Sequence, residues 1–253
     1  MKKVVFIFSG APQAKKAADK LIAVYGQREL AEADVIVALG GDGFMLQTLH
    51  ANMNSGRQIY GMNRGSVGFL MNAFKPDGLM ERIEAATSES IRPLEMTAVN
   101  TEGRAFKAYA INEVSLLRQS YQAAKIRISV DGRLRLEELI CDGVLLSTPA
   151  GSTAYNLSAR GPILPLDAPL LALTPVSPFR PRRWQGALLP NSATVSLEIL
   201  EPDKRPVNAV ADHNEVKSVV SVTIAEAKDS TVTILFDADH SWDERILAEQ
   251  FRH

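Results

Sequence analysis

One carboxylate in this chain stands among glycines in a setting suited to phosphate chemistry. Gly40-Gly41-Asp42-Gly43 joins a wholly apolar run, Val35 to Leu39, to a segment from Phe44 to Met53 that reads as a helix. In an α/β protein, ligands bind at such junctions, outside the carboxyl end of a strand and near a helix N-terminus. Glycines let backbone N–H groups approach phosphate oxygens closely, and the helix N-terminus adds positive potential. Asp42 has the wrong charge to hold phosphate itself. Its useful work is to take the proton of an attacking hydroxyl or to hold Mg²⁺. The pattern is neither a dinucleotide G-x-G-x-x-G nor a Walker A loop, which ends in Gly-Lys-Ser/Thr. The plainer alternative is turn chemistry, as at Asp131-Gly132. That pair, however, joins two alternating half-buried strands, whereas Asp42 joins an apolar strand to a helix.

A second segment offers polar atoms of another kind. The run from Cys141-Asp142-Gly143 through Ser147-Thr148-Pro149-Ala150-Gly151-Ser152-Thr153-Ala154-Tyr155-Asn156-Leu157-Ser158 carries an apolar strand into a cluster of small hydroxyl residues and then an aromatic ring. Neutral donors beside an aromatic face suit a ribose and a purine better than a metal. The competing reading is that Ser152 and Thr153 cap a helix. Asn112-Glu113, after the stretch Phe106 to Ile111, reads on its own as a solvated turn at a strand end.

The elements that must position these residues divide near residue 90. Val4 to Phe8, Val35 to Leu39 and Ile59 to Met62 read as buried strands of a parallel sheet. Helical spacing of Ala14, Ala17, Ala18, Leu21, Ile22 and Tyr25, and of Leu79, Met80 and Ile83, alternates with them. That alternation implies a doubly wound α/β domain over residues 1–92. From about Pro93 the chain becomes β-rich. Lys125 to Val130 and Arg133 to Leu136 alternate around Asp131-Gly132 as a hairpin, and Thr194 to Ile199, Val219 to Ile224 and Thr231 to Phe236 give further strands. Residues 93–236 are therefore expected to form a β-rich, sandwich-like domain. The end, Ser241 to Phe251, returns to helix, with Ser241 as N-cap and Glu244 at the capping-box position. This segment, about 237–253, is expected to return to the first domain.

Composition narrows the function classes. With 253 residues, a formal net charge of -1 and 46% hydrophobic residues, the chain is long enough for a sizeable core and too neutral for a nucleic-acid or anionic-membrane binder. The cluster Arg180, Arg182, Arg183 and Trp184 therefore reads as a supporting loop or a subunit interface. Cys141 is the single cysteine, which excludes an intramolecular disulfide. His50, His213, His240 and His253 lack metal-ligand spacing. No apolar run reaches the roughly 20 residues that span a bilayer. Val4 to Phe8 is too short for a signal peptide's apolar region of about 7–15 residues. A cytoplasmic location is expected.

Taken in order, Gly40 to Gly43, Gly65-Ser66-Val67-Gly68-Phe69-Leu70, Asn112-Glu113, Ser147 to Ala159, Thr174-Pro175-Val176-Ser177-Pro178 and Asp212 are similar to the successive signature motifs of the NAD kinase family. The resemblance implies an enzyme that moves a terminal phosphoryl group from ATP or polyphosphate, with Mg²⁺ or another divalent cation on the donor, to the 2′-hydroxyl of the adenosine ribose of NAD, giving NADP. Asp42 would orient or deprotonate that hydroxyl, with Gly40, Gly41 and Gly43 forming the phosphate loop. Phe69 would pack near the adenine. Asn112 and Glu113 would contact ribose and phosphates. Asp142, Thr153, Ala154, Tyr155 and Ser158 would line the NAD site, and Asp212 would reach the nicotinamide end. The resemblance also implies an α/β domain, a β-rich domain, a returning C-terminal segment and a homodimer or homotetramer. The chain departs from the family pattern at Ala150 (commonly Thr or Ser), Arg160 (commonly Gly) and Phe179 (commonly His). Two other readings share features of the sequence: a diacylglycerol- or sphingoid-type lipid kinase with the same glycine-aspartate loop, and a non-catalytic NAD(P)-binding sensor.

Overall fold

The computed structural model describes residues 2–65, 68–238, Trp242, Glu244, Ile246, Leu247 and Phe251. The chain forms two compact units, one of residues 1–91 and 229–253, the other of residues 92–228.

In the first unit, β1 (Val4–Phe8), α1 (Pro12–Tyr25), β2 (Val35–Gly40), α2 (Asp42–Ala51), β3 (Gln58–Asn63), α3 (Leu79–Ala85) and β4 (Thr87–Ile91) follow one another. Every residue of β2 is buried, as its unbroken apolar run requires of a strand covered on both faces. Pro12 opens α1, where its missing N–H costs nothing. That helix turns Ala14, Ala17, Ala18 and Leu21 inward. Helix α2 begins at Asp42, earlier than the Phe44 start expected from sequence, because Gly41 takes the N-cap and its carbonyl receives the N–H of Met45 at 3.0 Å.

The second unit is built almost wholly from strands: β5 (Leu94–Asn100), β6 (Ala105–Ala110), β7 (Glu113–Arg118), β8 (Ala124–Val130), β9 (Arg133–Cys141), β10 (Gly143–Ser147), then a short helix α4 (Tyr155–Ser158), β11 (Leu170–Val176), β12 (Ala187–Pro190), β13 (Val195–Ile199), β14 (Val207–Ala211), β15 (Asn214–Val216) and β16 (Val219–Glu226). They make two six-stranded sheets, β12-β11-β10-β7-β14-β15 and β6-β5-β16-β13-β8-β9. The inward residues of both sheets, among them Met96, Ile126, Leu197, Leu116, Leu146 and Leu173, share one core, which is the sandwich expected of alternating strands. In β8 the alternation is complete, with Ile126 and Ile128 inside while Arg127 reaches across to Glu198 at 2.8 Å. The turn to β9 has Asp131 at φ 52 and Gly132 at φ 72, the left-handed pair that a two-residue hairpin demands.

Strand β17 (Val232–Phe236) corrects the expectation that Thr231 to Phe236 belongs to the sandwich. It lies between β3, to which it is parallel, and β4, to which it is antiparallel, completing a five-stranded sheet β1-β2-β3-β17-β4. The chain thus re-enters the first unit at Asp229, earlier than residue 237. The reason is burial: Val232, Ile234, Leu235 and Phe236 are all inside, so this strand needs cover on both faces. Trp242, Glu244, Ile246 and Leu247 are helical, while the expected N-cap Ser241 lies outside the described residues. Trp242 packs against Phe69 and Phe236, with ring centroids 6.4 and 5.8 Å away.

Candidate active site

The first unit holds Asp42 as the opening residue of α2, directly after the carboxyl end of β2. Both carboxylate oxygens are held. Oδ2 accepts the backbone N–H of Phe69 at 2.8 Å and Oδ1 that of Leu70 at 3.1 Å. The two donors belong to the loop after β3, and the approach is so close that a Cβ at Gly68 would overlap the Asp42 carboxylate. Asp42 is therefore fixed in direction, and each oxygen keeps a lone pair for a further hydrogen. The glycines beside it differ. Gly40 is buried, with a would-be Cβ 2.9 Å from Phe44, whereas among the described residues nothing lies within 4 Å of that position at Gly41 or Gly43. The open side of this glycine turn is thus Gly41 to Gly43. Phe69 is half-buried, and its clearest contribution is its backbone N–H; Ser66 and Val67 of its loop lie outside the described residues.

The loop after β3 is itself anchored. Asn72, fully buried, donates its backbone N–H to Gly61 and its side-chain amide to Leu235 O at 2.9 Å, while its Oδ1 accepts Asp237 N–H at 2.9 Å. Asp237 in turn accepts the hydroxyl of Tyr60 at 2.5 Å and an ion pair from Arg82. None of Asn72, Arg82 or Asp237 stands out in the sequence. They come from three separate segments, and only the fold brings them together.

The second unit gathers a different set. The carboxylate of Asp212, at φ 51 after β14, accepts three successive backbone N–H groups, from Ile111 at 2.6 Å, Asn112 at 3.0 Å and Glu113 at 3.2 Å. Asp212, expected at the nicotinamide end of a ligand, thus holds the Asn112-Glu113 turn in shape. That turn is not a solvated one. Among the described residues, no group hydrogen-bonds the buried Asn112 Oδ1 or Glu113 Oε2. Burial, with the charge of Asp212 added, pushes the Glu113 carboxyl up to about 7. Asp142 pairs with Arg118, Nε to Oδ1 at 2.6 Å, and Arg118 also reaches the carbonyl of Ser120. Arg118 carries no sequence signal beyond ending an apolar strand.

The hydroxyl-rich segment splits in two. Ser147, Thr148, Ser152 and Asn156 are buried. Thr148 Oγ1 donates to Ile111 O at 2.6 Å, Ser152 Oγ to Pro149 O at 2.7 Å, and Asn156 Oδ1 accepts Thr174 Oγ1 at 2.7 Å. These groups lock the loop to the Asn112 turn and to β11. The expected ligand residues Thr153, Ala154 and Tyr155 are half-exposed, and Ser158 is exposed. The Tyr155 phenol is raised by partial burial, and the charges of Glu113 and Asp142 add to this, so the three expected residues share one electrostatic environment. Burial pushes Cys141 up to about 12, which keeps it an inert thiol.

A model of the ATP-NAD kinase N-terminal domain matches residues 8–90 and one of the ATP-NAD kinase C-terminal domain matches residues 111–236. The chain belongs to the ATP-NAD kinase family. It is 67% identical over 250 residues to a NAD kinase of Mesorhizobium japonicum, covering 99% of this chain and 97% of that one. It is 59% identical over 249 residues to a NAD kinase of Caulobacter vibrioides, covering 98% and 96%. The fold is that of yeast NADH kinase complexed with NADH, with TM-score 0.83 at 20% identity over 99% of this chain and 87% of that one. It also matches an NAD kinase from Archaeoglobus fulgidus in complex with ATP, with TM-score 0.76 at 22% identity over 98% and 97%.

Within the ATP-NAD kinase family pattern, the three departures now have surroundings. Ala150 is buried, so its missing hydroxyl costs no surface contact. Arg160 is exposed at φ 64, a left-handed position that suits the glycine it replaces. Phe179 is about half exposed (52%) and flanked by the guanidinium groups of Arg180 and Arg182, 5.6 and 5.4 Å from its ring.

Proposed function

We propose that this chain phosphorylates NAD at the 2′-hydroxyl of its adenosine ribose, with ATP as donor. The observation that carries the reading is the Asp42 carboxylate, held in one direction by the amides of Phe69 and Leu70 beside the open face of Gly41 to Gly43. A carboxylate so fixed accepts the hydroxyl proton as the O–H bond weakens. The freed oxygen lone pair forms the new bond to the terminal phosphorus, and the bond from that phosphorus to the bridging oxygen breaks, releasing ADP. Positioning and charge neutralisation supply most of such a reaction's rate.

A divalent cation of the Mg²⁺ type, which is held largely by water and substrate phosphates, is expected with the donor. When bound, it supplies positive charge to the donor phosphates. In the second unit, Asn112 and Glu113 would meet ribose hydroxyls through the buried oxygens that lack partners. Tyr155 would offer its ring to a base, and Thr153, Ala154, Ser158 and Asp142 would complete the lining. Polyphosphate is the alternative donor, and a donor panel separates the two. A homodimer or homotetramer, read by sedimentation, and a cytoplasmic location complete the proposal; no helix among the described residues is long and apolar enough to cross a membrane.

The test is direct. Purified protein with NAD, ATP and Mg²⁺ should yield NADP, and no product with any donor would refute the reading. Asp42→Asn removes the base, keeps the side-chain shape and leaves one acceptor for the two N–H groups of Phe69 and Leu70. It should lower kcat by roughly 10²–10⁴-fold while NAD binding, measured by calorimetry, stays within about twofold. Retained turnover would show that Asp42 is not the base.

A further inference from the structure

Arg64 directly follows β3, and its backbone lies on the phosphate loop. Its N–H donates to Gly40 O at 2.7 Å, and a Cβ on the next residue, Gly65, would stand 3.6 Å from Gly41 Cα. The side chain is therefore rooted at the carboxyl edge of the sheet, beside the loop that carries Asp42. Its guanidinium stacks on Phe74, with Cζ 4.5 Å from the ring centroid. Among the described residues, nothing hydrogen-bonds its buried Nε. Other partly buried arginines are neutralised: Arg82 pairs with Asp237, Arg118 with Asp142 and Arg205 with Glu201. Among the described residues, no carboxylate pairs with Arg64. A buried guanidinium nitrogen with no acceptor is costly in isolation. The same arrangement is pre-organised for an anion, because the aromatic stack fixes the plane of a group that binds phosphate through two parallel N–H donors.

We infer that Arg64 is a ligand for the terminal phosphates of the donor, giving the Gly40–Gly43 loop the cation that its own sequence lacks. Unlike Lys of a Walker A loop, which is carried by the glycine loop itself, this cation comes from the neighbouring strand. The inference rests on the NAD kinase reading and names the donor side of the same reaction. Arg64 does not touch NAD in this scheme, so its removal separates the two substrates.

The test compares wild type with Arg64→Gln, Arg64→Lys and Phe74→Leu. Binding of a non-hydrolysable ATP analogue with Mg²⁺, inhibition by inorganic triphosphate and binding of NAD are measured, together with Tm. Arg64→Gln should weaken both the ATP analogue and triphosphate by about tenfold or more, the loss expected when hydrogen bonds to a charged group go. NAD affinity should stay within about twofold. Arg64→Lys should recover part of the loss, and Phe74→Leu should give a smaller loss in the same direction, because it removes the stack and keeps the apolar contact. Triphosphate and ATP-analogue binding unchanged in Arg64→Gln would overturn the inference. So would an equal weakening of NAD and ATP, which marks a general structural role. Wild-type protein that makes no NADP would defeat the kinase reading, while a selective loss of triphosphate binding in Arg64→Gln would still support the anion site.

Discussion

Glu113 offers the sharpest quantitative test of the second unit. Burial, then the nearby charge of Asp212, moves its carboxyl from an ordinary 4.5 to about 7. The group is an acid whose value in the fold is raised, so the neutral form is the one the fold tolerates. Its contribution is fully present below about pH 4.5 and is lost as pH rises through 7. At about 1.4 kcal/mol per pH unit, the loss by pH 8 is about 3 kcal/mol relative to pH 4.5. For a chain of this size that corresponds to roughly 6–12 °C in Tm. Glu113→Gln replaces the acid by a neutral isostere and should remove this slope. The assay is thermal unfolding of wild type and Glu113→Gln from pH 5 to 9. The two curves should converge at pH 5 and diverge up to pH 8, with the variant the more stable at high pH, and then run parallel. Parallel curves across the whole range would refute the claim that Glu113 sits uncompensated in a buried turn. Because Oε2 lacks an internal partner, bound NAD should shrink the divergence if a ribose hydroxyl meets that oxygen.

Three further outcomes test the surroundings. Arg160→Gly should raise stability by about 1 kcal/mol, since φ 64 strains any side chain, and should leave both KM values unchanged; a rise in the donor KM would show that the cation reaches phosphate. Asn72→Ala strands the Leu235 carbonyl and the Asp237 N–H and should cost roughly 2–5 kcal/mol in denaturant unfolding. It should also lower kcat more than it changes the NAD KM, because the amides that aim Asp42 lie two and three residues upstream; an unchanged kcat would detach Asn72 from the site. Arg118→Ala breaks an ion pair whose side chains are 35% and 43% exposed, so stability should move by less than about 1 kcal/mol, while the NAD KM should rise by roughly threefold or more as Asp142 loses its orientation.

Local sequence was a good guide wherever one segment carried its own explanation. The apolar run Val35 to Leu39, with glycine and a helical segment behind it, could only be an inner strand opening into a helix, and Asp131-Gly132 between alternating strands could only be a tight hairpin. The same reasoning failed where the partner decides. Thr231 to Phe236 follows the sandwich strands in sequence, and chain order alone places it with them, yet Val232-Thr233-Ile234-Leu235-Phe236 lacks the regular polar alternation of Val195-Ser196-Leu197-Glu198-Ile199. Its composition is closer to that of β1, a strand of the parallel sheet, and that difference was the available signal. Strand β4, Thr-Ser-Glu-Ser-Ile, has almost no apolar residue and exists because β17 offers it an edge to pair with. No local pattern announces such a strand.

The hydroxyl-rich segment shows a subtler limit. Residue type suggested a row of donors facing a ligand, but a hydroxyl has two uses, and sequence does not say which way it points. Burial decides. Ser147, Thr148, Ser152 and Asn156 are inside and spend their hydrogen bonds on backbone carbonyls and on Thr174. Thr153, Ala154, Tyr155 and Ser158 remain accessible. The two groups alternate within twelve residues, and under the proposed reading the segment does both jobs: it holds itself against the Asn112 turn and presents a face. Rigidity is what makes the face useful, since a loop already ordered loses little entropy on binding. Asp212 follows the same logic on the other side of that turn, using its charge to fix three amides and leaving Asn112 and Glu113 with oxygens that no described residue satisfies. In this fold the residues proposed to bind are therefore set apart less by their own chemistry than by the neighbours that have relieved them of structural work.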